Sequence, residues 1–291
     1  MLLPKVITIF TPTYNRSHLL LRLYESLCKQ SHKEFEWLIV DDGSTDNTKV
    51  VVDGFISEDK INIRYFWQEN GGKHRAINRG VKEAQGELFF IVDSDDWLPE
   101  NALQMVAERW EAIKGNQRIG GICGLDMTPD GKVIGSGLPC DELICHSIDI
   151  RLKHHVTGDL KEVFRTSVLR ELPFPEYAGE KFCPEALAWN RIAQQFDLLF
   201  INQPIYTADY QPGGLTDRIV RVRMQSPMAS TTCYQEMLSY DIPLKEKIKA
   251  AINYWRFRLC CKSSLGMQRL PLLWNIVMPI GWLMHLRDKL L

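Results

Sequence analysis

Apolar residues along this chain gather first into short runs and then into helical stripes, and the two alternate. Val6 to Pro12 is a β-rich apolar run. From Ser17 to Gln30, Leu20, Leu23 and Leu27 fall on one helical face with Ser17 placed as the N-cap. Phe35 to Val40 is apolar throughout except for Glu36. Unbroken rather than alternating hydrophobicity suits a strand covered on both faces, as in a parallel sheet. Asn62 to Trp67 predicts a third strand, Lys73 to Ala84 a helix, and Glu87 to Val92 a fourth strand. A helix follows from Pro99 to Ile113, with Leu103, Val106, Trp110 and Ile113 as its stripe and Pro99 in its first turn. This alternation is the pattern of an α/β sheet with right-handed crossovers.

The pattern loosens from Ile119 to Phe164 into β-like pieces separated by turns such as Pro129-Asp130-Gly131 and Gly135-Ser136-Gly137, which predicts a mixed region laid over one sheet edge. Pro184 to Phe196 has a helical stripe through Trp189, Ile192, Ala193 and Phe196, and Leu198 to Ile201 and Ile205 to Tyr210 predict two strands. Beyond Gly213-Gly214 the pattern is wholly helical. The expected organisation is a domain over residues 1–215, with halves at 1–115 and 116–215, and a helical extension over 216–291.

At 291 residues, with 45% hydrophobic and 24% charged residues, the chain buries a full core and is not disordered. A net charge of -1 supplies no global field for binding nucleic acid. The 8 cysteines form no C-x-x-C pair and, apart from a loose Cys140, Cys145 and His146 group, no zinc spacing, so they read as reduced thiols. Met1 to Lys5 leads straight into the first strand without the charged and apolar regions of a signal peptide, so the expected location is the cytoplasm.

Polar residues concentrate where strands end, and in open parallel sheets ligands bind at the carboxyl ends of strands. The first strand ends in Thr11-Pro12-Thr13-Tyr14-Asn15-Arg16, the second in Asp41-Asp42-Gly43-Ser44-Thr45-Asp46, the third in Gln68-Glu69-Asn70-Gly71-Gly72-Lys73. The fourth runs into Asp93-Ser94-Asp95-Asp96, three carboxylates in four positions. Such crowding raises carboxylate pKa values unless a cation or hydrogen bonds answer it, and a hard divalent metal does so. An acidic turn ahead of a helix is the plainer explanation of that segment alone, and His74 reads as a solvated helix residue.

The strand-end motifs, in this order and together with Ala76, Asn78, Gly80 and Ala84-x-Gly86-Glu87, resemble the family 2 glycosyltransferases. The resemblance implies the GT-A type nucleotide-diphospho-sugar transferase fold, a mostly parallel central sheet flanked by helices, and an inverting reaction on a nucleotide-sugar donor, most simply UDP-linked. It assigns Tyr14 to stacking on the base, Asp42 to the uracil N–H, and Thr11 and Pro12 to the pocket floor. Arg16, Gly71, Gly72, Lys73, Asp93 and Ser94 join the nucleotide-sugar site. Asp95, with Asp93 and Asp96, is assigned to a Mn²⁺ or Mg²⁺ ion, and Glu185 to the general base, with Glu180 as its fallback. Asp159, Glu180 and Trp189 are placed near the sugar or acceptor. This sequence lacks the Glu-Asp pair common in relatives near Glu185.

The acceptor expected is a hydroxyl of a glycan or a lipid-linked glycan in surface polysaccharide or lipopolysaccharide synthesis. The C-terminal segment is basic at Arg218, Arg221, Arg223, Lys245, Lys247, Lys249, Arg256, Arg258 and Lys262, and Leu270 to Leu286 is apolar but broken by Pro271 and Pro279. That is short of the ~20 uninterrupted apolar residues of a spanning helix. Helices packed on the domain and peripheral contact with an anionic membrane both remain open. Rival functions are a nucleotide- or glycan-binding module without turnover and another Mg²⁺-dependent α/β enzyme. A nucleotidyltransferase would carry a glycine-rich basic loop after its first strand, where this chain has Pro-Thr-Tyr-Asn.

Overall fold

A computed structural model describes residues 6–210, 218–261 and 270–290. Expectations for Met1 to Lys5, Gly213-Gly214, the boundary at 215 and Lys262 lie outside the described residues. The chain forms two compact units, Met1–Pro173 with Arg191–Gln211, and Phe174–Asn190 with Pro212–Leu291.

The elements run β1 (Ile7–Thr13), α1 (Leu20–Cys28), β2 (Phe35–Asp41), α2 (Thr48–Glu58), β3 (Ile63–Trp67), α3 (Lys73–Glu83), β4 (Leu88–Ile91), α4 (Ala102–Ile113) and β5 (Ile119–Met127). They continue with β6 (Glu142–Cys145), α5 (Asp149–Leu152), β7 (Leu160–Arg165), α6 (Thr166–Glu171), α7 (Glu185–Ala193) and β8 (Asp197–Thr207). All eight strands join one sheet in the order β3-β2-β1-β4-β7-β5-β8-β6. β1, β2, β3 and β4 pair in parallel, and β7 enters antiparallel between β4 and β5. Strand order reverses between β1 and β4, which puts the crevice of an open sheet beyond their carboxyl ends.

β2 is buried along its whole length, as its apolar run requires. Its one charge, Glu36, accepts hydrogen bonds from the Thr8 hydroxyl at 2.7 Å, the Gln85 amide at 2.7 Å and Arg64 at 3.2 Å, so it is tolerated because it is fully partnered. Gly80 is required by packing: a Cβ there would lie 2.2 Å from the Phe10 ring, so α3 could not lie as close to β1.

Several expectations change. The region 119–164 does not lie over a sheet edge; β5 and β7 continue the sheet. Leu198–Ile201 and the run from Ile205 belong to one strand, β8, which ends at Thr207 rather than Tyr210 and has register shifts around Pro204 where it pairs with β5. α1 starts at Leu20 without a side-chain cap, and Pro99 sits in the turn before α4, where its carbonyl accepts the Ala102 N–H. α2, which the pattern left unassigned, packs Val52 and Phe55 into the core. His74 is buried, not solvated.

In the second unit, α8 (Ile219–Gln225), α9 (Pro227–Met237), α10 (Leu244–Arg258), a 3-10 helix (Leu272–Val277) and α11 (Met278–Lys289) are all helical, as the pattern predicts. α11 packs closely on α10: a Cβ on Gly281 would lie 2.7 Å from the Ile252 carbonyl oxygen. Arg256 and Asp288 form a buried ion pair between these two helices. No helix among the described residues is long and apolar enough to cross a membrane.

Candidate active site

Four loops meet at the carboxyl ends of β1 to β4, and hydrogen bonds tie them to one another. Asn15, at φ 52°, accepts the Thr45 N–H at 2.8 Å through its side chain, and its own N–H donates to the Ser44 hydroxyl at 2.8 Å. Asparagine tolerates this left-handed backbone better than most residues. The turn leaves the neighbouring Tyr14 ring 49% exposed, free to stack on a planar ligand. Pro12 is half-buried, whereas Thr11 is fully buried and its hydroxyl accepts the Trp37 indole N–H at 2.9 Å. Thr11 therefore braces the strand end from beneath.

Asp42 organises the loop after β3. One carboxylate oxygen accepts from Gln68 at 2.7 Å and the Gly71 N–H at 2.9 Å; the other accepts from Asn70 at 3.1 Å and the Gly72 N–H at 2.7 Å. A carboxylate offers about four lone-pair sites, and all four are used. Gly72 has φ 99°, a backbone that a side chain would strain. Since both glycine N–H groups point at Asp42, what they offer a ligand is close approach to bare backbone.

The acidic loop beyond β4 is neutralised by protein cations. Lys73, the first residue of α3, lies 2.7 Å from Asp93, and Arg16 pairs with Asp95. Burial pushes the Asp93 carboxyl up, but the nearby charges of Lys73 and Lys161 outweigh it and hold the group at about 2. Ser94 is buried between them. Asp96 turns towards β8, accepting the Tyr206 hydroxyl at 2.6 Å and the Asp209 N–H at 2.8 Å. Its burial and the Asp93 charge raise it to about 6. Both Asp96 oxygens thus fasten the loop to the sheet. Arg22, from α1, donates to the Asp95 carbonyl and to Asp209 at 2.7 Å while its guanidinium lies 4.0 Å from the Trp97 ring centre.

Sequence reasoning missed Arg22, Lys161, Asp126 and Tyr206. The Lys161 ammonium lies 3.7 Å from the centre of the Tyr206 ring. Asp126, in β5, is 5% exposed, and burial raises its carboxyl to about 7 against the lowering effect of Lys161. Asp159 is exposed and accepts the Tyr210 hydroxyl, so it belongs to the rim of the same face.

Among the described residues no three His, Cys, Asp or Glu side chains converge as a metal cage. The donor set that Asp93 and Asp95 present nonetheless fits a hard divalent ion: two oxygen-bearing side chains one residue apart, each balanced by one cation. Mg²⁺ and similar ions are commonly held by one or two carboxylates and complete their shell with substrate phosphates.

The other assigned residues lie in the second unit. Glu180 is buried, and its carboxylate accepts the Met228 N–H at 2.6 Å and the Ala229 N–H at 2.9 Å, capping the start of α9. Tyr177 donates to Thr232 at 2.9 Å, and with the Glu180 cap this gives the grouping of Phe174–Asn190 with the C-terminal helices a physical basis. Glu185 is half-buried in the first turn of α7, and Trp189 lies one turn on, edge-on to Phe174 at 5.3 Å. Residues four apart share a helix face.

A family model described as Glycosyl transferase family 2 matches residues 8–123. The chain is 28% identical over 227 residues to Glycosyltransferase GlyG of Streptococcus pneumoniae serotype 4, covering 72% of this chain and 73% of that protein. It is 30% identical over 191 residues to the GalNAc(5)-diNAcBac-PP-undecaprenol beta-1,3-glucosyltransferase of Campylobacter jejuni, covering 64% of this chain and 59% of that one. Among solved structures, residues 1–349 of S. aureus TarS match 97% of this chain and 79% of that one at TM-score 0.63 and 20% identity, and the UDP-GlcNAc complex of that protein matches at 0.60. The mannosyltransferase PcManGT of Pyrobaculum calidifontis, solved with GDP-Man and Mn²⁺, matches 97% of this chain and 87% of that one at 0.58 and 15% identity. These likenesses show the GT-A fold expected from the sequence.

Proposed function

We propose that this chain is a glycosyltransferase of family 2 that transfers a sugar from a UDP-linked donor, with a divalent metal and with inversion, to a hydroxyl of a glycan or lipid-linked glycan. The observation that carries this reading is the junction of loops at the β1/β4 switch point. The exposed Tyr14 ring and the glycine loop held by Asp42 lead to the ionised Asp93 and to Asp95, which pairs with Arg16. The TarS complex with UDP-GlcNAc and the undecaprenol-linked acceptor in the name of the Campylobacter relative support the choice of donor and acceptor class.

Tyr14 holds the base by stacking, and Arg16 and Lys73 flank the diphosphate with positive charge. Asp42 positions the Asn70-Gly71-Gly72 backbone against the ribose, and contact of its carboxylate with the base competes with the bonds it already makes. Asp95, with Asp93, would hold Mn²⁺ or Mg²⁺, which supplies Lewis-acid stabilisation of the departing nucleoside diphosphate. Glu185 takes the proton from the acceptor hydroxyl, and a single displacement then inverts the anomeric centre. Its place in a helix's first turn, a half-buried carboxylate with an aromatic ring one turn on, supports that role. Incubating the chain with a panel of nucleotide sugars and Mn²⁺ tests the reading. UDP-linked donors should be consumed, and consumption of none would contradict it.

The second unit supports peripheral contact with an anionic membrane. Leu272, Leu273, Ile276, Ile280, Trp282 and Leu283 are all exposed along the 3-10 helix and α11. Asp288, the sole carboxylate in residues 270–290, is buried and paired with Arg256 and Arg287. An apolar face without exposed acid suits a lipid interface. The chain should float with phosphatidylglycerol vesicles, and the Leu273→Glu, Leu283→Glu double variant should not. Equal recovery of both in solution would count against the contact.

A further inference from the structure

Asp126 has no part in the roles above, yet its position is costly. It lies near the carboxyl end of β5 with 5% exposure, and its Oδ1 has no hydrogen-bond partner among the described residues. Buried polar atoms in folded proteins are nearly always satisfied, and an acceptor left open beside a ligand crevice is one kept for a group that arrives from outside.

The direction it faces follows from its neighbours. Asp126 pairs across the sheet with Tyr206. The Tyr206 hydroxyl donates to Asp96 and accepts the Asp93 N–H at 3.1 Å, so this pair of strands presents its polar side chains to the acidic loop. Lys161, seated over the Tyr206 ring, acts on Asp126, Asp96 and Asp93 alike, and Asp159 acts on Asp126 from the rim.

The ligand's chemistry is constrained by the same groups. A phosphate is repelled by the Asp126 carboxylate and by its acidic neighbours. A metal ion would find one buried carboxylate here, beside the Lys161 charge, rather than the pair that Asp93 and Asp95 present. A neutral group bearing several hydroxyls fits: it donates to an open carboxylate oxygen and accepts from an ammonium.

We propose that Asp126 is a specificity-determining residue, its Oδ1 accepting a hydrogen bond from one hydroxyl of the transferred sugar while Lys161 donates to an oxygen beside it. This rests on the sugar-transfer reading and extends it from the nucleotide to the sugar. Sites built to bond a substrate hydroxyl reject the analogue that lacks it, because the protein group is left buried and unpaired.

The test compares wild type, Asp126→Ala and Asp126→Asn, each with the UDP-sugar consumed fastest and with its monodeoxy analogues. In wild type, one deoxy position should lower kcat/KM by about a hundredfold or more. In Asp126→Ala the parent sugar should fall and that same deoxy analogue should not, so that their ratio closes to within about threefold. Asp126→Asn, which keeps an acceptor, should lie between. UDP affinity, measured on all three, should stay within about threefold and reports an intact nucleotide pocket. Identical deoxy penalties at every position in wild type and Asp126→Ala, with UDP affinity retained, would overturn the assignment alone. A wild-type chain that binds UDP but consumes no UDP-sugar would overturn the function, and this assignment with it.

Discussion

Burial and neighbouring charge together set Asp93, Asp96 and Asp126 apart. Lys73 keeps Asp93 ionised, while Asp96 and Asp126, buried with fewer opposing charges, are pushed up to about 6 and about 7. For Asp126 the folded value lies above the unfolded value of 3.8, so its penalty is absent below pH 3.8, grows as pH rises, and is complete above about 7. At about 1.4 kcal/mol per pH unit the cost is on the order of a few kcal/mol. Asp126→Asn should therefore melt several degrees above wild type at pH 8, and the gap should narrow towards pH 4.5; Asp93, Asp96, Asp159 and Lys161, the charged groups that act on it, remain in both proteins. A gap that does not change with pH would place the cost elsewhere. The acidic loop was legible in sequence because its carboxylates are adjacent. Asp126 and Lys161 were not, since each is a single polar residue whose neighbours come from strands β5, β7 and β8, brought together by the sheet alone.

Two side chains that the sequence assigns to ligands hold elements of their own unit together. Asp42 spends its carboxylate on the loop after β3, and Glu180 spends its own on the first turn of α9. Turn residues of this kind carry no mark in the sequence that separates a loop tie from a ligand contact. Glu180→Ala should lower the melting temperature, with a loss of about 1–3 kcal/mol from the missing cap and the buried N–H groups it leaves, while UDP affinity is kept. An unchanged melting temperature with sugar transfer lost would return Glu180 to the acceptor. Strands and helices up to α4, α2 apart, were readable because each buries a continuous or periodic apolar set. In the later strands the pattern was less legible: β7 returns antiparallel into the sheet's middle, and β8 carries Pro204 inside one strand, where proline usually marks an end.

At the scale of the whole molecule, the proposed site residues fall in both units. The first holds the nucleotide and metal candidates, and the second holds Glu185. Glu185→Gln should leave UDP-sugar binding unchanged and lower transfer by about 10²–10⁴-fold, the range of general-base contributions. Full transfer by that variant would move the base to another carboxylate. The central claim is that Asp93 and Asp95 hold a divalent ion against the donor diphosphate. Calorimetric titration of the UDP-sugar into wild type and Asp95→Asn, each with Mn²⁺ and with EDTA, addresses it most directly. The expected result is strong binding by wild type only with Mn²⁺, and weak, metal-independent binding by Asp95→Asn; equal wild-type affinity in EDTA and in Mn²⁺ would contradict it.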